Sequence, residues 1–522
     1  LKEETHTADN GEMGKRKELT PRRQALFLAI GLALFVLIAA FLDPAPREVG
    51  DQVVSLSFPA RLCIGLLVLA IFYWVTEALP FHITAMLVML VMPLLKITDG
   101  LQIVKDGTLV TIHGVAAGYK EIVALSFGND LILFFLGVFL LSAAFSETTL
   151  GRRMTLKMLQ GIGTSTRGVI LGFLIMGTLL SMWVSDVGVA AMMLPIGLAI
   201  LRQTDCKPLQ SNFGRALMIA SCWGAIFGGI ATPAGCGPNP IAIAFMRDLG
   251  GMNITFVDWM KIGVPASLAL VPIGWIVLLK MFPPEMKRLP LTRDDIKAQL
   301  GELGPLSRAE IGTIVIFVLV IFLWVFNPLL SKWTGGRLNL PISFVSIFGG
   351  LLLFLPPFRV LDWEKANRAV SWESIILIMA SLGLGMMTYH TGAAKWIAVT
   401  LLGGISTLHP VALIFVVVLV VIFMKLFLAS NTVTGIVIIP ILISLAQAFD
   451  FPPWVLVGPA AFTSSLGIIL VTQTPTNVIP YTSGFFTIKD FARSGVVMSV
   501  IMSVVITVII ALLGPLTGMY VY

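Results

Sequence analysis

Thirteen apolar stretches take up most of the chain. They lie at about 25–42, 62–79, 82–97, 126–148, 168–200, 216–245, 260–281, 311–329, 341–357, 372–390, 411–446, 454–482 and 495–519. Most have the length of a single membrane helix, roughly 20 residues. Two of them, 168–200 and 411–446, are too long for one simple span, and polar residues break each in the middle. In the first, Ser181-Met-Trp-Val-Ser185-Asp186-Val187 leads into an apolar run ending at Leu194-Pro195. In the second, Leu426-Phe-Leu-Ala-Ser430-Asn431-Thr432 leads into one ending at Ile439-Pro440, about 245 residues further on.

Flanking charge predicts how these two segments sit. The polar stretch before the first holds Arg152, Arg153, Lys157 and Arg167, and the one after it holds Arg202, Lys207 and Arg215. Both ends are basic, so both are predicted on the cytoplasmic face, with a re-entrant hairpin between them. The second has only Lys395 before it, and residues 447–453 after it carry no Lys or Arg. Its ends are therefore predicted outside, so that one hairpin enters from each face. Counting in this way gives an all-α polytopic membrane protein of about eleven transmembrane helices plus two hairpins. The N-terminus is cytoplasmic and the C-terminus extracytoplasmic.

Further landmarks recur in order. Phe72-Tyr-Trp74-Val75 matches Phe322-Leu-Trp324-Val325, and Ser126-Phe127 matches Ser371-Trp372. Phe127 lies 59 residues before Asp186, as Trp372 does before Asn431. Thr255-Phe-Val-Asp258 matches Thr487-Ile-Lys-Asp490. Five spans and one hairpin per copy make the second copy inverted relative to the first. The predicted organisation is a cytoplasmic tail (1–24), a first helix and outer loop (25–60) and repeat 1 (61–281, hairpin 168–200). A cytoplasmic linker (282–310) and repeat 2 (311–522, hairpin 411–446) follow. The short run Leu26–Phe41 also fits the apolar core of a signal peptide.

Composition agrees. The 522 residues are 57% hydrophobic and 12% charged, roughly half the charge fraction of a soluble domain. The net charge of +7 sits mainly in short connections, which reads as topology rather than nucleic-acid binding. Cys63, Cys206, Cys222 and Cys236 have no metal-ligand or paired spacing and are expected to be free thiols.

Each repeat has a second break downstream of its hairpin: Gly228-Gly229-Ile-Ala-Thr232-Pro233-Ala-Gly235-Cys236-Gly237-Pro238-Asn239, and Thr472-Gln473-Thr474-Pro475-Thr476-Asn477. Proline and glycine there unwind a membrane helix, which frees carbonyls and presents half-helix N-termini. N-termini with Ser, Thr and Asn bind carboxylate or sulfate oxygens without a buried arginine, and freed carbonyls suit Na+. The expected ligand is a small anion with a coupling cation. No filter-like carbonyl run, His/Cys metal cluster or nucleophile–base pair supports a channel or an enzyme.

On these motifs, the sequence resembles the divalent anion/Na+ symporter family, which carries di- and tricarboxylates and sulfate. Trp74-Val-Thr76-Glu77-Ala-Leu-Pro80, Ser430-Asn431-Thr432, Gly237-Pro238-Asn239 and Thr474-Pro475-Thr476-Asn477 carry the likeness over roughly 60–522. The resemblance implies a homodimer in the bilayer and an elevator-type motion of a transport domain on a scaffold, and the expected location is the bacterial inner membrane. It places Ser185, Asp186, Ser430, Asn431, Thr432, Thr474 and Pro475 on substrate. It frames a first Na+ site with Ser181, Ser185, Asp186 and Gly235, and a second with Ala429, Asn431 and Gln473. The expected substrates are four-carbon dicarboxylates such as succinate, malate and fumarate, with Na+ or H+ as coupling ion and no other cofactor. Cation-independent exchange and sulfate or sulfonate transport are the alternatives.

The sequence also departs from the family. Ser185-Asp186-Val187 stands where Ser-Asn-Thr is usual, so an amide has become an acid facing an anion site. Leu426, Phe427 and Gln473 weaken the second cation site. Lys425 is new, and either extends along the hairpin to the interface or supplies the charge of a second Na+. Asp186 and Lys425 are thus the coupling candidates.

Overall fold

Caps set where the long helices begin. Asp258 N–H donates to Thr255 Oγ1 (3.1 Å), and Asp258 Oδ2 accepts from Thr255 N–H (3.2 Å). Thr487 and Asp490 make the same reciprocal pair at 3.0 and 2.9 Å. The recurring Thr-x-x-Asp landmark is therefore a pair of capping boxes, and the two helices they start pack on each other. Trp74 and Trp324 also share a role. Their indole N–H groups donate to the carbonyls of Phe81 (3.1 Å) and Ile342 (3.2 Å), at the head of the following helix.

A computed structural model describes residues 20–42, 45–49, 52–105, 108–290, 293–405 and 407–518. Most of the predicted tail, residues 1–19, lies outside them. The first helices are α1 (Pro21–Phe41), α2 (Phe58–Thr76), α3 (Phe81–Leu94), α4 (Gly114–Ser126), α5 (Leu131–Glu147) and α6 (Leu150–Ile162). The first hairpin is α7 (Thr166–Ser181) and α8 (Asp186–Gln203), and the first broken helix is α9 (Asn212–Gly229) and α10 (Pro238–Asp248). Then come α11 (Phe256–Met281), α12 (Arg293–Glu302), α13 (Arg308–Trp333), α14 (Ile342–Leu352), α15 (Trp363–Ala369), α16 (Trp372–His390) and α17 (Ala393–Ile397). The second hairpin is α18 (Pro410–Met424) and α19 (Asn431–Ala448). The second broken helix is α20 (Trp454–Ser464) and α21 (Pro475–Tyr481), and α22 (Ile488–Thr517) ends the described chain. Two short antiparallel ribbons, Arg47–Val49 with Gln52–Val54 and Gln102–Lys105 with Thr108–Thr111, interrupt the helices.

Among the described residues, nine helical stretches are long and apolar enough to cross a membrane. The protein is an integral membrane protein built of helices. Two details differ from the sequence reading. Residues 114–126 form a helix of their own, and the basic stretch expected as a loop is helix α6. Within it Arg153 is buried and pairs with Glu310 at 3.1 Å, while its other nitrogens bond the carbonyls of Gly304 and Leu303.

Contacts at the hairpin bases fix the framework around the site. Leu289 N–H donates to Thr164 O (2.8 Å), and Thr166 Oγ1 donates to Met286 O (2.7 Å). At the other end of the same hairpin, Glu285 accepts from Ser211 Oγ and from Phe213 N–H (2.9 Å). Burial pushes the Glu285 carboxyl up, but these hydrogen bonds outweigh it and hold the group below the ordinary glutamate range. One segment, 283–289, thus ties both ends of α7–α8. The base of the second hairpin lies elsewhere. Gln447 of α19 accepts from Tyr389 Oη (2.6 Å) and donates to Leu249 O (3.0 Å), just past α10. The path α9–α10 therefore starts at the first base and ends at the second. The path α20–α21 runs the other way: it leaves the second hairpin and returns to Phe485, packed on Gly214, and Asp490, 3.5 Å from Arg215.

Candidate functional site

The breaks are built alike. Asn239 Nδ2 donates to Gly229 O (2.7 Å) and Thr232 O (2.8 Å), ten and seven residues back. Asn477 Nδ2 donates to Gly467 O (2.7 Å) and Leu470 O (3.2 Å), again ten and seven residues back. Each asparagine thus satisfies carbonyls that the unwound turn has released, where no water supplies donors. Ser465 Oγ donates to Asn239 Oδ1 at 2.9 Å and ties one break to the other.

Between the breaks and the hairpin tips lies a cavity of about 160 Å³, below the roughly 300 Å³ at which drug-sized ligands begin to fit. Ser185, Asp186, Ser430, Asn431, Thr432, Thr474 and Pro475 all line it, and so do Gly235 and Gly237. The helix starts of α8, α10 and α19 converge there, so partial positive charge faces the cavity. Pro238, Asn239, Thr476 and Asn477 are buried within the breaks and hold them rather than line the cavity.

Asp186 is 5% exposed. Its Oδ1 accepts from Val187 N–H (2.9 Å), Cys236 Sγ lies 3.6 Å from its Oδ2, and its own N–H donates to Gly235 O (3.3 Å). Beside it is a cradle of oxygens. A Cβ on Gly235 would lie 2.6 Å from Gly229 O and 2.7 Å from Ser181 O. Ser181 Oγ is buried without a hydrogen-bond partner. Two backbone carbonyls around a position only glycine leaves open, with the Ser181 hydroxyl and the Asp186 carboxyl on the adjoining residues, make a donor set that fits Na+.

The second set does not assemble in the same way. Ala429 and Gln473 line a neighbouring cavity of about 430 Å³ with Thr76, Glu77 and Lys425, whereas Asn431 lines the smaller cavity between the hairpin tips. Gln473 is spent on the backbone, accepting from Ile469 N–H (2.8 Å) and Leu470 N–H (3.0 Å) and donating to Lys425 O (2.9 Å). Lys425 does not extend to the interface. It is 1% exposed, and its Nζ donates to Asn431 Oδ1 and to Ser464 O (2.7 Å). The carbonyl that α20 leaves unpaired at its end holds the ammonium inside.

Sequence reasoning missed part of the lining. Cys236 was read only as a free thiol, yet Asn431 Nδ2 donates to its Sγ (3.4 Å), so it touches both hairpin tips. Phe134, Phe135, Val138 and Phe139 of α5 and Ser374, Leu377 and Ile378 of α16 form the opposite wall. Their only signal was the fixed 59-residue spacing of the spans that begin at Phe127 and Trp372. A larger cavity, about 590 Å³, lies between α6, α8 and α12 and shares no lining residue with the site.

Residues 24–520 match the family described as the sodium:sulfate symporter transmembrane region. The chain belongs to this family of membrane transporters. The sodium-dependent dicarboxylate transporter SdcS of Staphylococcus saprophyticus is 31% identical over 494 residues, covering 90% of this chain and 88% of the relative. SdcS of Staphylococcus aureus strain USA300 is 30% identical over 499 residues, covering 92% and 89%. The fold resembles the YdaH transporter of Alcanivorax borkumensis (TM-score 0.54, 14% identity, 86% of this chain and 98% of that one). It also resembles MtrF of Neisseria gonorrhoeae (TM-score 0.53, 13% identity, 84% and 94%). The chain is a transporter and not an enzyme.

Proposed function

We propose that this protein is a secondary transporter of four-carbon dicarboxylates such as succinate, malate and fumarate, with Na+ moving alongside. The observation that carries this reading is the single small cavity that gathers both hairpin tips and both helix breaks beside the Gly235 cradle. Hydroxyls, an amide and helix N-termini receive the carboxylates. Ser181, Ser185, Asp186 and Gly235 hold Na+ next to the acid that would otherwise repel the substrate. The names of the staphylococcal relatives agree with this pairing of ion and substrate.

Alternating access follows from the same framework. The hairpins re-enter from opposite faces as parts of two inverted repeats, 61–281 and 311–522, and carry the site past a scaffold in an elevator-type motion within a homodimer. The bacterial relatives support an inner-membrane location. Cysteines introduced at Thr164 and Gln210 are expected to react with impermeant reagents from the cytoplasmic side only. Reaction from opposite sides would mean that α7–α8 crosses the membrane.

The function is tested by uptake of radiolabelled succinate into proteoliposomes, with Na+ and pH gradients imposed separately and then with succinate preloaded. Accumulation driven by an inward Na+ gradient is expected. Uptake driven by protons alone would reassign the Asp186 site to H+, and uptake only into preloaded vesicles would mean exchange. Uptake of sulfate but not succinate would overturn the substrate.

A further inference from the structure

Helix α5 runs the length of the cleft between the site and its opposite wall. Phe134, Phe135, Val138 and Phe139 line the cavity between the hairpin tips. Towards the end of α5, Ser146 lines the cavity of about 590 Å³ beside α8, where Ala191, Pro195 and Ala199 are exposed. At the start of α5, Asp130 and Phe134 line a third cavity, of about 310 Å³, with Arg247, Phe256 and Trp324. Phe134 is common to this cavity and to the site, so the third cavity adjoins the site at one end of the cleft.

Charged residues bridge the cleft at that end. Arg247 and Asp248 close α10, which begins at the site with Pro238 and packs on α19 and α20. Asn129 and Asp130 lead into α5, and Ser343 lies in the first turn of α14, the helix α5 packs on. Two contacts cross the cleft. Arg247 Nη1 lies 2.9 Å from Asp130 Oδ1, and Asn129 Nδ2 donates to Asp248 Oδ2 (3.3 Å). Each charge of the pair is also held on its own side. Arg247 Nε donates to Asp248 Oδ1 (2.7 Å), and Ser343 Oγ donates to Asp130 Oδ2 (2.7 Å). If the crossing contacts part, Arg247 keeps Asp248 and Asp130 keeps Ser343. Arg247 and Asp130 are 41% and 40% exposed, so water can replace the lost partner. Arg153 and Glu310, at 9% and 2%, have no such freedom: their separation would strand a buried charge. One ion pair is built to stay and the other can open.

We propose that Arg247 and Asp130, with Asp248, Asn129 and Ser343, form a clasp that closes the outer end of the cleft and parts each time the site opens there. This deepens the alternating-access reading and rests on it. The end is the outer one by the predicted topology, because α10 finishes at the base of the second hairpin. A half-exposed pair is weak, which suits a contact made and broken in every cycle. It biases the balance between two positions of the site without trapping either.

The test uses Ser374→Cys as a reporter, since Ser374 lines the site on the wall side. Its reaction with an impermeant thiol reagent is followed by mass spectrometry of its own peptide, so the native cysteines do not interfere. The reagent is added to right-side-out and to inside-out vesicles, without Na+ or succinate. Asp130→Asn and Arg247→Gln are each expected to raise the rate from outside about two- to fivefold, with no rise from the cytoplasmic side. The double variant should exceed neither single one, because both remove the same interaction. Arg247→Lys should stay near the parent rate. Ser343→Ala, which leaves both charges in place, should shift the rate in the same direction by less and covers the case in which a charge variant fails to fold. A merely structural role would loosen the chain and raise both rates together. That result, an unchanged outer rate, or single effects that add would each overturn the clasp. Absence of any succinate movement by the parent chain would instead overturn the substrate reading, and the labelling, which needs no substrate, would still decide the clasp.

Discussion

Asn431→Ala is expected to abolish succinate uptake, by about a hundredfold or more, while the protein still elutes as a folded species. The amide sits at the centre of the site. Its oxygen accepts from Lys425 Nζ, and its nitrogen donates to Cys236 Sγ and to Ser465 O (3.5 Å). The residue also lines the proposed substrate cavity at the start of α19. Truncation therefore removes a substrate donor and the group that joins the two hairpin tips. A hydrogen bond to a charged group contributes about 1.5–3 kcal/mol, and losing two such interactions accounts for the expected effect. The fold is retained for a specific reason: Ser464 O still holds the ammonium (2.7 Å), and α19 keeps its cap from Ser430 to Val433 N–H (3.4 Å). Uptake per folded molecule, measured beside size-exclusion elution, checks this. Near-normal uptake would mean that the anion binds elsewhere.

The parts of this site that the sequence exposes are those where polar chemistry interrupts an apolar run. Asp186, Asn431, Gly235 and Thr474 stand out because a membrane helix rarely carries such groups unless something uses them. The α5 wall was silent for the opposite reason. Phe134, Phe135 and Phe139 read alike whether they face lipid, core or ligand. Lys425 was ambiguous because a lysine near a hairpin tip can reach the interface or stay inside. The choice depends on the carbonyl of Ser464, which lies 39 residues away in sequence. Arg153, counted among the basic residues on the cytoplasmic side of the first hairpin, is buried, because its partner Glu310 comes from 157 residues away. Local breaks were therefore legible, and the partners that packing brings from other helices were not.

Two glycine variants are expected to separate the proposed ion site from the proposed substrate site. Gly235→Ala places a methyl group 2.6 Å from Gly229 O and 2.7 Å from Ser181 O. Both are backbone oxygens, and Gly229 O is also held by Asn239 Nδ2 (2.7 Å), so neither can swing aside as a flexible side chain would. The oxygens must spread or the break must shift, and Na+ loses ligands in either case. We expect the Na+ concentration for half-maximal uptake to rise at least about tenfold, which corresponds to about 1.4 kcal/mol. At saturating Na+, the succinate dependence should stay close to that of the wild type. Gly237→Ala meets a different neighbour, Thr432 Oγ1 at 2.5 Å. Thr432 lines the cavity between the hairpin tips, and here the half-saturating succinate concentration should rise while the Na+ dependence changes little. Na+ and succinate titrations of both variants check the split. If both glycines move both curves equally, cation and substrate do not occupy separable sites. If Gly235→Ala leaves the Na+ curve unmoved, the cradle beside Asp186 is not where the ion binds.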